Sequence, residues 1–463
     1  MRRAWVTTLL GVLLAPTTAF AGNADDVNAG LDVTLTGGAV VANVYTGASL
    51  WYNPAGIARS DKPTLELAGV TMNMQIVKNP GVLTIDTDPQ AKSEGSGFNF
   101  TVIPQALTFT IVLKENLKLG VGLFNSSIRR EFLTEQVSSP PGATPSVDAY
   151  AGRNSRLNFF HISSGLAGEF GKKQKVLFGG AFDIVIATAR VDDTYTVFYG
   201  DGEFGQMSSG EVRTQTGFGF QLKSGFQWVP IPKVRIGLSI ASPSYVFALL
   251  ERFSTHYNQA PPAGTPYDQN DPNRQLAEGS ESRGGRVGWW GVDPGNVRFG
   301  VAYIGDWGWV EGDLIYHWRL REDELGLNLR GFLNGRIGSA FRVTKNIKLG
   351  LGAFTDFSQV DQLSRLPLAT QKIDFFGVHV GVLYSTHEVH PDKQTAADEE
   401  GLGISIAIGF RYAFGKGDTL GLLLPPTYDP SAIGVPGPDC SGCVAVPTTL
   451  HEIGLNFAAK VAF

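Results

Sequence analysis

The sequence predicts an all-β chain that closes into a transmembrane antiparallel β-barrel of about 14 strands, and three observations carry that expectation. Polar and apolar residues alternate with a period of two over runs of roughly ten to seventeen residues. A strand of a soluble sandwich averages about five or six residues, whereas tilted strands crossing a bilayer need about ten or more. Beyond the N-terminal region no segment reaches the roughly 18 consecutive apolar residues of a transmembrane helix. Glycine is abundant, 57 of 463 residues, and methionine scarce, at 4, which suits strands and turns better than packed helices.

Residues 1–21 read as an export signal. Arg2 and Arg3 supply a positive start, "AWVTTLLGVLLA" an apolar run too short to span a bilayer, and Ala19-Phe20-Ala21 a small-x-small cleavage site before Gly22. The formal net charge of -5 gives no sign of a nucleic-acid partner. Cys440 and Cys443 stand in "PDCSGC" and are expected to form a small disulfide. Zinc normally needs about four ligands, and only His451 is near. No metal or cofactor is expected.

Fourteen alternating segments follow in order: 64–77, 97–113, 117–130, 156–170, 175–191, 211–229, 233–249, 295–304, 309–321, 329–343, 347–358, 372–386, 401–415 and 449–463. In "VRTQTGFGFQLKSGFQW", Phe218, Phe220, Leu222 and Phe226 point one way and Gly219, Gln221, Lys223 and Gln227 the other. "GLGISIAIGFRYAF" separates Ile404, Ile406, Ile408 and Phe410 from Ser405, Gly409 and Arg411 in the same manner. Trp228 and Trp318 fall near segment ends, as an interfacial girdle requires. Short turns at "KEN", "GKKQ", "PIPK", "GDWG" and "TKN" alternate with longer loops, which places the short turns on the periplasmic side. The last segment ends on Phe463, an apolar-face aromatic suited to the machinery that assembles outer-membrane barrels.

On the inward phase, Arg330 and Arg336 form a basic column beside apolar Phe124, Phe159, Ile315, Phe332 and Phe354. Two readings stay open: cross-strand partners such as Glu311 and Asp313 neutralise the column, or it receives the carboxylate of an amphipathic acid whose tail meets the apolar residues. Residues 252–294 and 416–448 read as external loops with apolar islands at Trp289-Trp290 and around Leu422. These islands either capture a hydrophobic ligand or fold the loops over the barrel mouth. His161 or His317 would need a serine and an acid alongside for hydrolytic chemistry; no nucleophile motif stands out, and no enzymatic activity is expected.

One stretch, "TGASLWYNPAGIAR", does not alternate. Its small residues, with Gly37, Gly38, Ala39 and Ala42 before it, allow the backbone to lie close to a wall, and Asn53 before Pro54 favours a turn. Inward-phase glycines such as Gly120, Gly179, Gly237 and Gly350 give room on the wall, although glycine also eases sheet curvature.

Together with "PQALTFTIVLKENLKLGVGLF", "TGFGFQLKSGFQWVPIPKVRIGLSIASPSY" and "DPGNVRFGVAYIGDWGWVEGDLIYHWRL", this stretch resembles the FadL/TodX family of outer-membrane transporters for hydrophobic compounds, over nearly the whole mature chain. The resemblance implies an N-terminal hatch at 22–62, carrying the motif Asn53, Pro54 and Ala55, that plugs a barrel at 63–463. It implies passive uptake of hydrophobic molecules such as long-chain fatty acids across the outer membrane of a Gram-negative bacterium, by a monomer whose partners are lipids and the small hydrophobic cargo. Transport of aromatic hydrocarbons, or a role like that of PorV barrels as protein-binding partners in secretion, are the alternatives. In that family the third strand kinks inward and opens the wall. The matching "GVGLFNSSIRREF" lacks a proline or late glycine, so a lateral exit here is an open question.

Overall fold

The computed structural model describes residues 29–142, 146–171, 175–199, 206–260, 276–325, 327–363, 370–387, 402–424 and 443–463. The signal segment and Cys440 fall outside the described residues, and so does the expected Cys440–Cys443 bond.

The strands, in chain order, are β1 (Thr64–Lys78), β2 (Leu83–Ile85), β3 (Ala91–Lys92), β4 (Ser96–Lys114), β5 (Leu117–Ser138), β6 (Val147–Phe170) and β7 (Lys175–Tyr199). They continue with β8 (Gln206–Ile231), β9 (Val234–Ala241), β10 (Ser244–Ala260), β11 (Leu276–Asp293), β12 (Asn296–Gly305), β13 (Gly308–His317), β14 (Leu320–Glu322) and β15 (Leu327–Leu329). The last five are β16 (Phe332–Arg342), β17 (Ile347–Asp356), β18 (Gln371–Ser385), β19 (Gly403–Leu424) and β20 (Cys443–Ala462). Fourteen of them, β1, β4 to β9, β12, β13 and β16 to β20, pair antiparallel with their neighbours. The ring closes where Thr64 of β1 pairs with Ala462 of β20.

Alternation sets the two faces of this wall. Leu222, Phe376, Ile408 and their equivalents are exposed on the outside, whereas Gln221, His379 and Ser405 are buried inside. An exposed apolar face of this extent on a closed barrel is the surface that a bilayer covers.

Three expectations change. The segment 233–249 is two strands, because Pro243 cannot donate to a ladder. β9 stays in the wall between β8 and β12, and β10 climbs the outer half of β8. The stretch 252–294, read as a loop, contains β11, which pairs with β10 as an external hairpin. The stretch 416–424, also read as loop, extends β19, whose Leu422 pairs in parallel with Leu83 of β2. β2 and β3 tuck into the outer mouth, where Leu83 and Ile85 pack with Val137, Val147, Val197 and Leu424.

The non-alternating N-terminal stretch lies inside the barrel. Helix α1 (Leu31–Thr36) ends on Gly37, whose φ of 67° is left-handed and suits glycine. Helix α2 (Ser49–Tyr52) leads through Asn53 into a 3-10 turn (Pro54–Arg59). Asn53 Oδ1 accepts the Ala55 N–H at 3.2 Å, and Pro54 occupies the first helical position, where no amide donor is needed. A side chain at Gly179 would strike the Pro54 carbonyl, and one at Gly237 the backbone at Val41 and Ala42, so these wall glycines make room for the hatch. Gly122, Gly217 and Gly377, read on the same phase, would instead meet wall side chains.

The polar inner wall holds the hatch by its backbone. Asp313 accepts the Val40 N–H at 2.7 Å and Glu311 the Ala42 N–H at 2.5 Å. Glu66 accepts the Leu31 N–H at 2.9 Å, and Gln227 donates to the Val44 carbonyl at 3.1 Å. Buried backbone groups need partners, and a segment without a continuous helix or ladder must find them on the wall.

Candidate ligand cavity and wall opening

The wall is incomplete between β4 and β5. Their ladder runs from Lys114↔Leu117 to Ala106↔Phe124 and stops, although β4 extends back to Ser96 and β5 on to Ser138. Above Phe124 the described ladders join β4 to β1 and β5 to β6, and β5 meets the start of β4 again only at the outer end, where Glu135 accepts from the Gly95 and Ser96 backbone. Pro104 falls within the freed part of β4, where a strand edge tolerates it.

A bulge turns β5 away at this level. Ser126 pairs with Phe159 and Arg129 with Leu157, so Ser127 and Ile128 together oppose Asn158. An extra residue of this kind bends the strand and shifts its alternation by one. Phe124 and Ser126 are buried before the bulge, and Glu135 and Val137 after it. The departure of β5 therefore needs no proline or glycine.

Beside the opening lies a small apolar cavity of about 70 Å³. Leu157 and Phe159 of β6, Ala187 and Ala189 of β7, and Val246 and Leu249 of β10 form its sides, with Val292, Leu325 and Leu327 above. Gln215 contributes the only polar side chain among these described lining residues, and its amide donates to Glu251 at 3.1 Å. A lining of this kind suits an uncharged or largely apolar group.

Trp51 of α2 connects the hatch to the opening. Its ring lies 5.5 Å from Phe124 and 5.0 Å from the His161 imidazole, edge to face, with Lys223 Nζ 4.0 Å above it. Asn53, Pro54 and Ala55 sit lower, against β7 and β8, where Asn53 Nδ2 donates to the Phe226 carbonyl at 3.1 Å.

The lumen residues singled out from sequence divide into two groups. Phe159 lines the cavity and Phe124 flanks the opening. Ile315, Phe332, Phe354, Arg330 and Arg336 belong to the opposite wall. There Phe332 stacks on His317 at 4.5 Å, Arg411 lies 4.5 Å over Phe354, and Arg330 donates to the Ser358 carbonyl at 3.1 Å. Arg336 reaches the hatch carbonyl of Gly38 at 3.5 Å. Trp289 and Trp290 lie on opposite faces of β11. Trp289 is exposed and packs edge-on to Phe220 at 5.8 Å, and buried Trp290 donates to Glu324 at 2.7 Å. Leu422 is half-buried against the mouth cluster. Sequence reasoning passed over Trp51, Leu157, Ala187 and Ala189. The available signal was an inward phase that turns apolar, Val185, Ala187 and Ala189, on a strand whose outward phase is already apolar.

No protein-family model matches the chain, and no curated protein matches it. Solved structures do. A Pseudomonas aeruginosa FadL homologue aligns over 96% of this chain and 98% of its own, with a TM-score of 0.55 and 11% identity. The Pseudomonas putida toluene transporter TodX aligns over 93% and 96%, with a TM-score of 0.53 and 14% identity. The monoaromatic hydrocarbon channel CymD aligns over 96% and 99%, with a TM-score of 0.50 and 12% identity. The chain shares their fold. At these identities the likeness concerns architecture, so cargo has to be argued from the cavity itself.

Proposed function

We propose that this chain is an outer-membrane channel for passive uptake of hydrophobic molecules, which enter the cavity from the outer mouth and leave sideways through the β4–β5 opening. The observation that supports it is the adjacency of an apolar cavity lined by Phe159 to a gap in the wall that begins at Phe124. The hatch fills the lumen below, so a lateral route spares the cargo any passage through its hydrogen-bonded core. A solute that partitions into hydrocarbon gains about 25 cal/mol for each Å² of apolar surface kept from water, which makes the bilayer a favourable exit.

Among the alternatives, the cavity favours uncharged cargo such as aromatic hydrocarbons over a fatty carboxylate. No charged side chain lines it among the described residues, and Arg336 is directed to Gly38 on the hatch. On this reading Phe124 and Phe159 touch cargo, while Arg330, Arg336, Ile315, Phe332 and Phe354 shape the far wall. Residues 1–21 export the chain, and barrel-assembly machinery inserts it as a monomer.

The test compares initial uptake of radiolabelled toluene and of a long-chain fatty acid by cells with and without the chain. Faster toluene uptake is the expected result. Equal rates with and without the chain, for both solutes, would remove the proposal.

A further inference from the structure

We propose that Ser126, His161 and Asp183 form a hydrolytic triad at the inner edge of the wall opening, acting on carboxylic esters with an apolar acyl or alkyl part. Three adjacent strands supply them. Ser126 of β5 lies with its Oγ 3.2 Å from His161 Nε2 on β6, and His161 Nδ1 lies 3.1 Å from Asp183 Oδ2 on β7. The carboxylate fixes the tautomer: Nδ1–H donates to Asp183, which leaves the Nε2 lone pair facing the serine hydroxyl. Asp183 is itself held by Ser163 Oγ at 2.5 Å and Lys223 Nζ at 2.6 Å, so its second oxygen is not left to swing.

Buried polar groups bond to one another in any lumen, and that alone would account for Ser163, Lys223 and Asp183. It does not require a serine on the far side of the imidazole, in line with the carboxylate. Two neighbours of Ser126 also fit chemistry. Its cross-strand partner Phe159 lines the apolar cavity, so an apolar acyl or alkyl part has a place one strand away from the hydroxyl. The bulge at Ser127 and Ile128 sets an extra residue against Asn158 directly after Ser126, and the proposal assigns the oxyanion to a backbone N–H of that bulge.

The reaction balances with water as the only co-reactant. Ser126 Oγ adds to the ester carbonyl carbon while His161 Nε2 takes its proton. Collapse of the tetrahedral adduct breaks the bond to the alcohol oxygen, which leaves with that proton. Water attacks the acyl-serine by the same route, releasing the carboxylic acid and restoring the hydroxyl. Trp51 packs perpendicular to the imidazole at 5.0 Å, so the hatch borders the site, and the proposal assigns it control of access. Ser126 and His161 are the catalytic residues, and Asp183 positions the imidazole. None of this rests on the transport reading, because a barrel that hydrolyses esters need not release them inward.

The purified full-length chain in detergent is treated with an alkyl fluorophosphonate, and adducts are located by peptide mass spectrometry. Heat-modifiable gel migration establishes that each variant is folded. A single adduct at Ser126 is expected. Ser126→Ala should abolish it, and His161→Ala should slow its formation on the order of 100-fold or more. Asp183→Ala should slow it as well, with recovery in Asp183→Glu, which a purely structural role would not produce. Trp51→Ala should speed labelling, and Ser405→Ala on the remote strand β19 should leave it unchanged. The proposal falls if neither the natural chain nor Trp51→Ala, both folded, carries an adduct at Ser126. It falls equally if labelling of Ser126 is indifferent to His161→Ala.

Discussion

The Asn53 side-chain amide donates to the main-chain carbonyl of Phe226 at 3.1 Å, tying the hatch to β8. The same nitrogen donates to the Val41 carbonyl at 2.8 Å, and Oδ1 caps the following turn at Ala55. Asn53→Ala removes all three bonds at once in a fully buried place. A buried hydrogen bond contributes about 0.5–1.5 kcal/mol net, so the loss is a few kcal/mol at most, and it falls on the hatch. The barrel rests on its ladders and should keep its heat-modifiable migration. Hydrogen exchange should speed up across residues 41–56 and leave β7 and β8 protected. Unchanged exchange in the hatch would show that the asparagine does not hold it.

Glycines on the wall should differ by what stands opposite. A β-carbon at Gly179 would come 2.5 Å from the Pro54 carbonyl oxygen, whereas one at Gly335 on the outer face meets nothing within 4 Å. Gly179→Val should therefore displace the hatch and raise single-channel conductance in planar bilayers. Gly335→Ala should leave conductance and folding as they are. Equal conductance for both variants would contradict close contact between Gly179 and the motif.

Much of this wall was legible because the bilayer imposes a period on the outer face. Leu222, Ile408 and Leu333 repeat at every second position wherever lipid must be met, and that repetition marked thirteen barrel strands and the fourteenth as part of one longer segment, although β5, β6, β7 and β19 run eight or nine residues further at one end. The periodicity fails where lipid no longer covers one side. β11 stands in an external hairpin, and "SESRGGRVGWWG" shows no alternation. On β5 the pattern reverses at the bulge, so a constant-phase reading ends near residue 130, eight residues short of Ser138. The Asn53 turn and the need for small residues around the hatch were readable as local chemistry. The alignment of Ser126, His161 and Asp183 was not, because it depends on strand register, and residues 35 and 22 positions apart carry no local sign of it.

Removing one bulge residue should close the side of the barrel. With Ser127 deleted, Ser126↔Phe159 and Arg129↔Leu157 would lie in one uninterrupted ladder, and β5 would lose the bend that carries it from β4. Uptake of an apolar solute should fall to the level of cells lacking the chain, while the amount of folded barrel in the outer membrane is unchanged. Undiminished uptake by a folded deletion variant would place the exit elsewhere.

Filling the cavity separates a route for cargo from a mere packing defect. Ala187 and Ala189 present small side chains to the space that Leu157 and Phe159 enclose. Ala187→Leu adds three carbons into a void, so the strain of about 1–3 kcal/mol expected for overpacking a tight core should be largely avoided. Added apolar contact should if anything steady the strands β6, β7 and β8. If cargo passes here, uptake of a bulky aromatic should drop several-fold, a smaller one should be less affected, and thermal unfolding should occur at the same or a higher temperature. Gln215→Leu tests the same space from its one polar corner. It should leave uptake of hydrocarbons intact, since the amide is engaged with Glu251 and offers an apolar solute nothing. A stable Ala187→Leu variant that transports solutes of every size at the natural rate would show that the cavity is a defect of packing and that cargo takes another path.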